Sequence, residues 1–133
     1  MVQEVALGSS VVHVLAKSKA TNEVKVFAWG ANNFGQLLQG DDFEKVLAQP
    51  CDISAEFEEE IKQISSGGFH TLFLSASGKV QGLGRSNQGQ LGCLKADRTQ
   101  VLLDIHIDYF DDQFVRQLQA GSMFSMALIA NKK

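Results

Sequence analysis

Three histidines, two cysteines and several paired carboxylates are the side chains here with the types to do chemistry, and their spacing limits what that chemistry is. Asp104, His106 and Asp108 alternate, so an extended strand places all three on one face with Ile105 and Ile107 on the other. The trio has the donor types of a metal site. Zinc takes three or four protein ligands, however, and no fourth stands nearby in the chain, so the expectation is a half-solvated strand face. His70 has the chemistry of a general base, but no nucleophile or orienting carboxylate lies at a recognisable spacing, which leaves a buried structural imidazole. Cys51 and Cys93 belong to no Cys-x-x-Cys pair and read as reduced, partly buried thiols. No glycine-rich loop runs into the Lys-Ser/Thr of a phosphate cradle. These readings lead to a protein with no catalytic residue, no metal and no cofactor. Glu56, Glu58, Glu59 and Glu60 form an acidic run, and Asp41 with Asp42 and Asp111 with Asp112 add two pairs. As solvated surface they need no function; gathered on one face they would draw in a basic partner.

The elements that position these residues belong to a globular chain. It has 133 residues, 44% of them apolar and 20% charged, the usage of one folded domain rather than of a disordered segment. Twelve Lys and Arg against fifteen Asp and Glu give a net charge of -3, and no basic cluster exceeds the terminal Lys132 and Lys133. That is little footprint for a phosphate backbone, so nucleic acid is not expected as a direct partner. No apolar run approaches the ~20 residues of a membrane helix. The start, from Met1 to Val5, lacks the features of a secretory or transit signal, so a cytoplasmic or nuclear location is expected. Twelve glycines against one proline point to many tight turns.

The chain repeats itself. A shift of 54 positions lays residues 26–37 over 80–91 with six of the twelve identical: Val26/Val80, Gly30/Gly84, Asn33/Asn87, Gly35/Gly89, Gln36/Gln90 and Leu37/Leu91. The same shift carries Gln63, Gly67 and Leu74 onto Gln117, Gly121 and Leu128 without a gap. A shift of 59 places Val2, Val5, Gly8 and Leu15 on Ile61, Ile64, Gly67 and Leu74, with the five extra residues between Leu15 and Val26. A fixed period of this length signals a repeat architecture. Within a copy, residues 61–65 and 70–74 are short β-suitable runs around a Gly67-Gly68 bend. Ser75, Ala76, Ser77 and Gly78 form a hairpin signal, residues 79–84 return, and residues 100–107 supply a fourth strand. Four short antiparallel strands per copy is the composition of a propeller blade. Gly35 and Gly89 are expected at positive φ or at a close backbone approach. The Gln36 and Gln90 amides suit loop backbone groups, and Trp29 with Leu83 suits the core between blades.

At Trp29, Gly30, Asn33, Gly35, Gln36 and Leu37, joined to Gly67, His70, Leu74 and Gly78, the chain resembles the regulator of chromosome condensation repeat family. That family's pattern is a strand ending in Gly-x-x-His-Thr-x-x-Leu, a Gly-turned hairpin, then Trp-Gly-x-Asn-x-x-Gly-Gln-Leu-Gly. Gly84, Asn87, Gly89, Gln90 and Leu91 repeat its second half, and Gly121 its first turn. The copies are degenerate: the pattern's His is Val11 in the first and Phe124 in the third, Trp29 becomes Leu83, and the last Gly, kept as Gly92, is Leu38 in the first.

The resemblance implies an all-β partial β-propeller of about two to three four-stranded antiparallel blades, not a closed seven-bladed ring. Residues 1–133 then form a single repeat domain, with copies at approximately 1–60, 61–114 and 115–133, the last incomplete. An unclosed propeller exposes strand edges and blade faces, to be covered by further sequence of a longer protein, by a partner chain or by self-association. The function expected is a non-catalytic protein-protein interaction module, with an interaction face that the sequence does not locate. The alternative implied by the resemblance is guanine-nucleotide exchange on a Ran-type small GTPase.

Overall fold

Why apolar residues spaced by three, such as Ile61 and Ile64, sit in strands becomes clear from one irregularity that recurs through the fold. The computed structural model describes residues 1–92, 98–99, 102–105 and 113–131. Its strands are β1 (Val2–Leu7), β2 (Val11–Lys17), β3 (Val24–Ala31), β4 (Val46–Asp52), β5 (Ile61–Ser66), β6 (His70–Ser75), β7 (Val80–Gly84), β8 (Leu103–Ile105), β9 (Gln113–Ala120) and β10 (Ser125–Asn131), with one 3-10 turn at Ser54–Glu56. They form two four-stranded meanders, β1-β2-β3-β4 and β5-β6-β7-β8, and a β9-β10 pair, antiparallel throughout. Each first strand breaks register once: between Val2 and Glu4 in β1, between Ile61 and Gln63 in β5, and opposite Leu128 and Ile129 in β9. The residues skipped are Gln3, Lys62 and Arg116, one place in three copies. A strand alternates faces with period two. The bulge adds a residue, so Val2 and Val5, Ile61 and Ile64, and Val115 and Leu118 each face the same way.

The sheets stack as consecutive blades. Leu15, Val26, Ala28 and Leu37 of the first sheet meet Ile61, Ile64, Phe73 and Leu83 of the second in one buried cluster. Leu74, Val80 and Leu91 of the second meet Val115 and Leu118 of the third in another. Leu15 and Leu74, Val26 and Val80, and Leu37 and Leu91 are the repeat equivalents found from the sequence, so the two cores are one interface built twice. Burying such side chains contributes about 1.5–3 kcal/mol each, which is what holds the blades together. Turn amides run along the stack in step: Ser9 N–H donates to the Gly68 carbonyl and Gly68 N–H to that of Ser122, both at 3.0 Å.

Leu83 is fully buried as expected, but Trp29 is only half-buried. Side chains alternate along β3, so Val26 and Ala28 point at the second sheet while Trp29 points at the opposite, open face of the first. The fourth strand of the second sheet, expected over residues 100–107, is seen at Leu103–Ile105.

Candidate functional site

The buried histidines come first, because they are the groups best suited to catalysis. His13 on β2 is fully buried and its Nε2–H donates to the Gln36 carbonyl at 2.9 Å, edge-on to the Phe73 ring. Burial pulls its pKa from 6.5 down to about 4, partly offset by the Gln36 carbonyl. His70 on β6 makes the related contact through a relay. Ser125 Oγ–H donates to the Gln90 carbonyl at 2.6 Å and accepts from His70 Nε2–H at 3.0 Å. Gln36 and Gln90 are repeat equivalents, so each histidine ties the Gln loop of its own blade to the core. Burial also lowers the pKa of His70, opposed by the Phe124 backbone.

His70 beside Ser125 has the residue types of a nucleophilic pair, but its polarity is wrong for one. The serine proton is committed to a carbonyl, the imidazole donates where a base must accept, and His70 Nδ1 is buried without a partner in place of an orienting carboxylate. Among the described residues no three His, Cys, Asp or Glu side chains come together as metal ligands. Asp104 pairs with Lys79 at 3.3 Å and accepts from Gln81 at 2.8 Å; His106, Asp108, Asp111, Asp112 and Cys93 lie outside the described residues. Cys51 is free and half-buried on β4. Among the described residues the acidic groups do not gather on one face. The strand registers put Asp41 and Asp42 at the end of the sheet that carries the Gly8 and Gly67 turns. The run from Glu56 to Glu60 lies at the opposite end, where Glu59 accepts from Ser77 at 2.9 Å and its pKa is lowered by that bond.

The repeat motif residues build the loops that fix the blades. Gln36 Oε1 accepts from Phe34 N–H at 2.8 Å and Gln90 Oε1 from Gln88 N–H at 2.9 Å, so both amides bond loop backbone. Asn33 Oδ1 accepts from Gln36, while Asn87 Oδ1 accepts from Arg85 instead. Gly30 and Gly84, Gly35 and Gly89 adopt matching positive φ values, and Leu38 takes a left-handed φ of 54° where Gly92 stands in the second copy. Gly78 turns the β6–β7 hairpin beneath the Phe114 ring. At Gly67 the reason for glycine is close approach: an added Cβ would strike the His70 ring and the Gly121 carbonyl of the next sheet. Gly121 in turn lies under the Phe124 ring. The Gly-x-x-His spacing thus lets the fourth residue fold over the first, as His70 does over Gly67, Phe124 over Gly121 and Val11 over Gly8.

One surface remains apart from this scaffold, on the side of the β9-β10 pair turned away from the second sheet. Phe124, Met126 and Leu128 are exposed at 57%, 59% and 59%. Their repeat equivalents His70, Leu72 and Leu74 are exposed at 1%, 1% and 4%, because the β9-β10 pair covers them. Beside them Gln117 occupies the place of Gln63, whose amide accepts from Leu118 N–H at 2.8 Å and donates to the Leu118 carbonyl at 2.7 Å across the second interface. Gln117, Gln119, Met126, Ala127 and Leu128 line a shallow groove there. The sequence carried the signal in Leu74/Leu128 and Gln63/Gln117, but reading it requires knowing which face of each blade is covered.

Comparison with known proteins agrees with this construction. The model of the regulator of chromosome condensation (RCC1) repeat matches residues 25–74, and a second model of that repeat matches residues 61–90. The chain is 38% identical over 91 residues to the probable E3 ubiquitin-protein ligase HERC4 of Mus musculus, covering 68% of this chain and 8% of that one. It is 36% identical over 110 residues to the X-linked retinitis pigmentosa GTPase regulator of Canis lupus familiaris, covering 81% of this chain and 10% of that one. The crystal structure of Prp20p from Saccharomyces cerevisiae, described with its binding to Gsp1p and histones, superposes over 100% of this chain and 32% of its own with a TM-score of 0.76 at 14% identity. The chain therefore spans about a tenth of the length of these two curated relatives.

Proposed function

Because the chain belongs to the regulator of chromosome condensation repeat family and folds as part of its β-propeller, we propose that it is a non-catalytic protein-protein interaction module whose docking surface is the open face of the β9-β10 pair. One observation carries this: Phe124, Met126 and Leu128 are exposed at the positions where the preceding blade buries its counterparts. Exposed apolar surface of this kind, rimmed by the Gln117 and Gln119 amides, marks a binding site on a rigid scaffold. The partner is a protein rather than nucleic acid, in keeping with the net charge of -3. Among the described residues no helix is long and apolar enough to cross a membrane; the cytoplasm or the nucleus is the proposed location. Affinity capture from cell extract with the wild-type chain and with Leu128→Lys tests the reading. A specific protein retained by the first and lost with the second is the expected result. Equal retention by both, or no specific protein at all, refutes it.

Guanine-nucleotide exchange on a Ran-type GTPase is a second reading, favoured by the 36% identity to a protein named as a GTPase regulator. Release of fluorescent GDP from such a GTPase decides it: no acceleration at micromolar protein discards exchange.

A further inference from the structure

We infer that the second interface between blades holds a binding site for a small uncharged aromatic molecule, in the space that the Phe73 ring fills in the first. The two interfaces are built from repeat equivalents, so they can be compared position by position. In the first, Phe73 is completely buried, its ring edge-on to His13 with centroids 5.6 Å apart and tilted against Phe57 at 4.8 Å. The repeat places Ala127 where Phe73 stands. The registers agree: Phe73 lies opposite Ile64 and Ala127 opposite Leu118, so both point at the preceding sheet. A cavity of about 200 Å³ is found there, lined among others by Leu72, Val80, Leu91, Ile105, Leu118 and Ala127.

The lining decides what enters. Leu72 stands at the place of His13, so the wall is hydrocarbon where the first interface has an imidazole. Ser125 and Gln90 also border the cavity, but the Ser125 hydroxyl donates to the Gln90 carbonyl at 2.6 Å and accepts from His70 at 3.0 Å. Those bonds are made without a ligand. An apolar cavity of ~150 Å³ stays dry and takes benzene, whereas a charged ring would lose its hydration here with nothing to replace it. The neighbours have closed only part of the space. Gly82 stands where the first sheet has Ala28, and Leu91 Cδ2 and Ile105 Cδ1 lie 2.7 and 3.0 Å from the point its Cβ would occupy. They have closed over Gly82, and what remains is the place of the ring. It is the space of a side chain rather than of a strand. Leu83 of β7 lies in the first cluster together with Phe73, so a further strand beside β10 would wall the cavity and still leave that place vacant.

Titration of the full chain with toluene, followed through its backbone amide resonances, tests this. Saturable shifts are expected at Leu72, Leu91 and Leu118, with none at their equivalents His13, Leu37 and Ile64, because Phe73 already fills the first interface. Benzoate, a ring of the same size with a charge, should move none of them. Ala127→Phe supplies the ring from within the chain and is expected to abolish the toluene shifts. Circular dichroism confirms that this variant folds, and Ala127→Leu takes its place, with the same expectation, if it does not. Amides of Leu72, Leu91 and Leu118 that stay unmoved up to the solubility of toluene overturn the inference. Equal shifts with benzoate overturn it too, as do toluene shifts that persist in the folded variant.

Discussion

Lowering the pH from 7 to 5 is expected to remove about 2 kcal/mol of folding stability through His13. The ring is fully buried with its pKa near 4, and the unfolded chain returns it to water with a pKa of 6.5. Between those values the unfolded state binds the proton and the folded state does not, so acid favours unfolding. The loss begins as the pH falls through about 6.5 and is complete below about 4. The whole separation corresponds to about 3 kcal/mol, of which about 2 is reached by pH 5. Burial is the cause: Nδ1 has no partner, and protonating it places a charge between the first two blades beside the Phe73 ring. Urea unfolding at pH 7, 6 and 5 measures the effect. His70, whose pKa is also lowered by burial, adds a slope of the same sign. The control is therefore His13→Leu, which borrows the residue that the second blade carries at the equivalent Leu72. This variant starts less stable, because the buried Gln36 carbonyl loses its donor, but its stability should fall less steeply with pH by the His13 share. Parallel stability-against-pH curves for the two proteins would refute the reasoning.

Further outcomes follow from the same geometry. Gly67→Ala forces a Cβ onto the His70 ring and the Gly121 carbonyl, so it should cost more than 2 kcal/mol and lower the melting temperature by well over 5 °C. Gly35→Ala and Gly89→Ala share the strain of positive φ, but only at Gly35 does the new Cβ meet backbone, the Thr99 carbonyl, while Gly89 faces open space. Gly89→Ala should therefore cost about 1 kcal/mol and Gly35→Ala clearly more, and equal losses in thermal melts would contradict the assignment. Gln63→Leu leaves the N–H and carbonyl of Leu118 without their side-chain partner, for an expected loss of about 2 kcal/mol by chemical denaturation. No change would show that those two bonds carry no net stability.

How much of this was legible before folding differs from residue to residue. Turn chemistry is local, so it was legible: Gly35 and Gly89 at positive φ and the Gln36 and Gln90 amides on loop backbone are where their types and spacing put them. Trp29 and Leu83 are both expected in the core between blades, but only Leu83 is fully buried. The two hold the same place in the repeat, but Leu83 lies in the cluster between the first two sheets, while no described residue of another sheet covers Trp29. His13 gave no signal, since it stands two residues beyond the family's histidine position. Its function as the tie to the Gln36 loop emerges only when β2 and that loop are seen in contact.

By itself the sequence determined the period of the repeat and the four-stranded plan of its two full copies, because these depend on strand alternation and turn preferences that recur wherever the same residues recur. What tertiary structure decided is burial. Leu74 and Leu128 are the same residue in the same motif, one 4% exposed and the other 59%, and the difference lies wholly in what packs against each. Burial is a property of the neighbour, and a repeated sequence writes the same residue whether or not a neighbour is present.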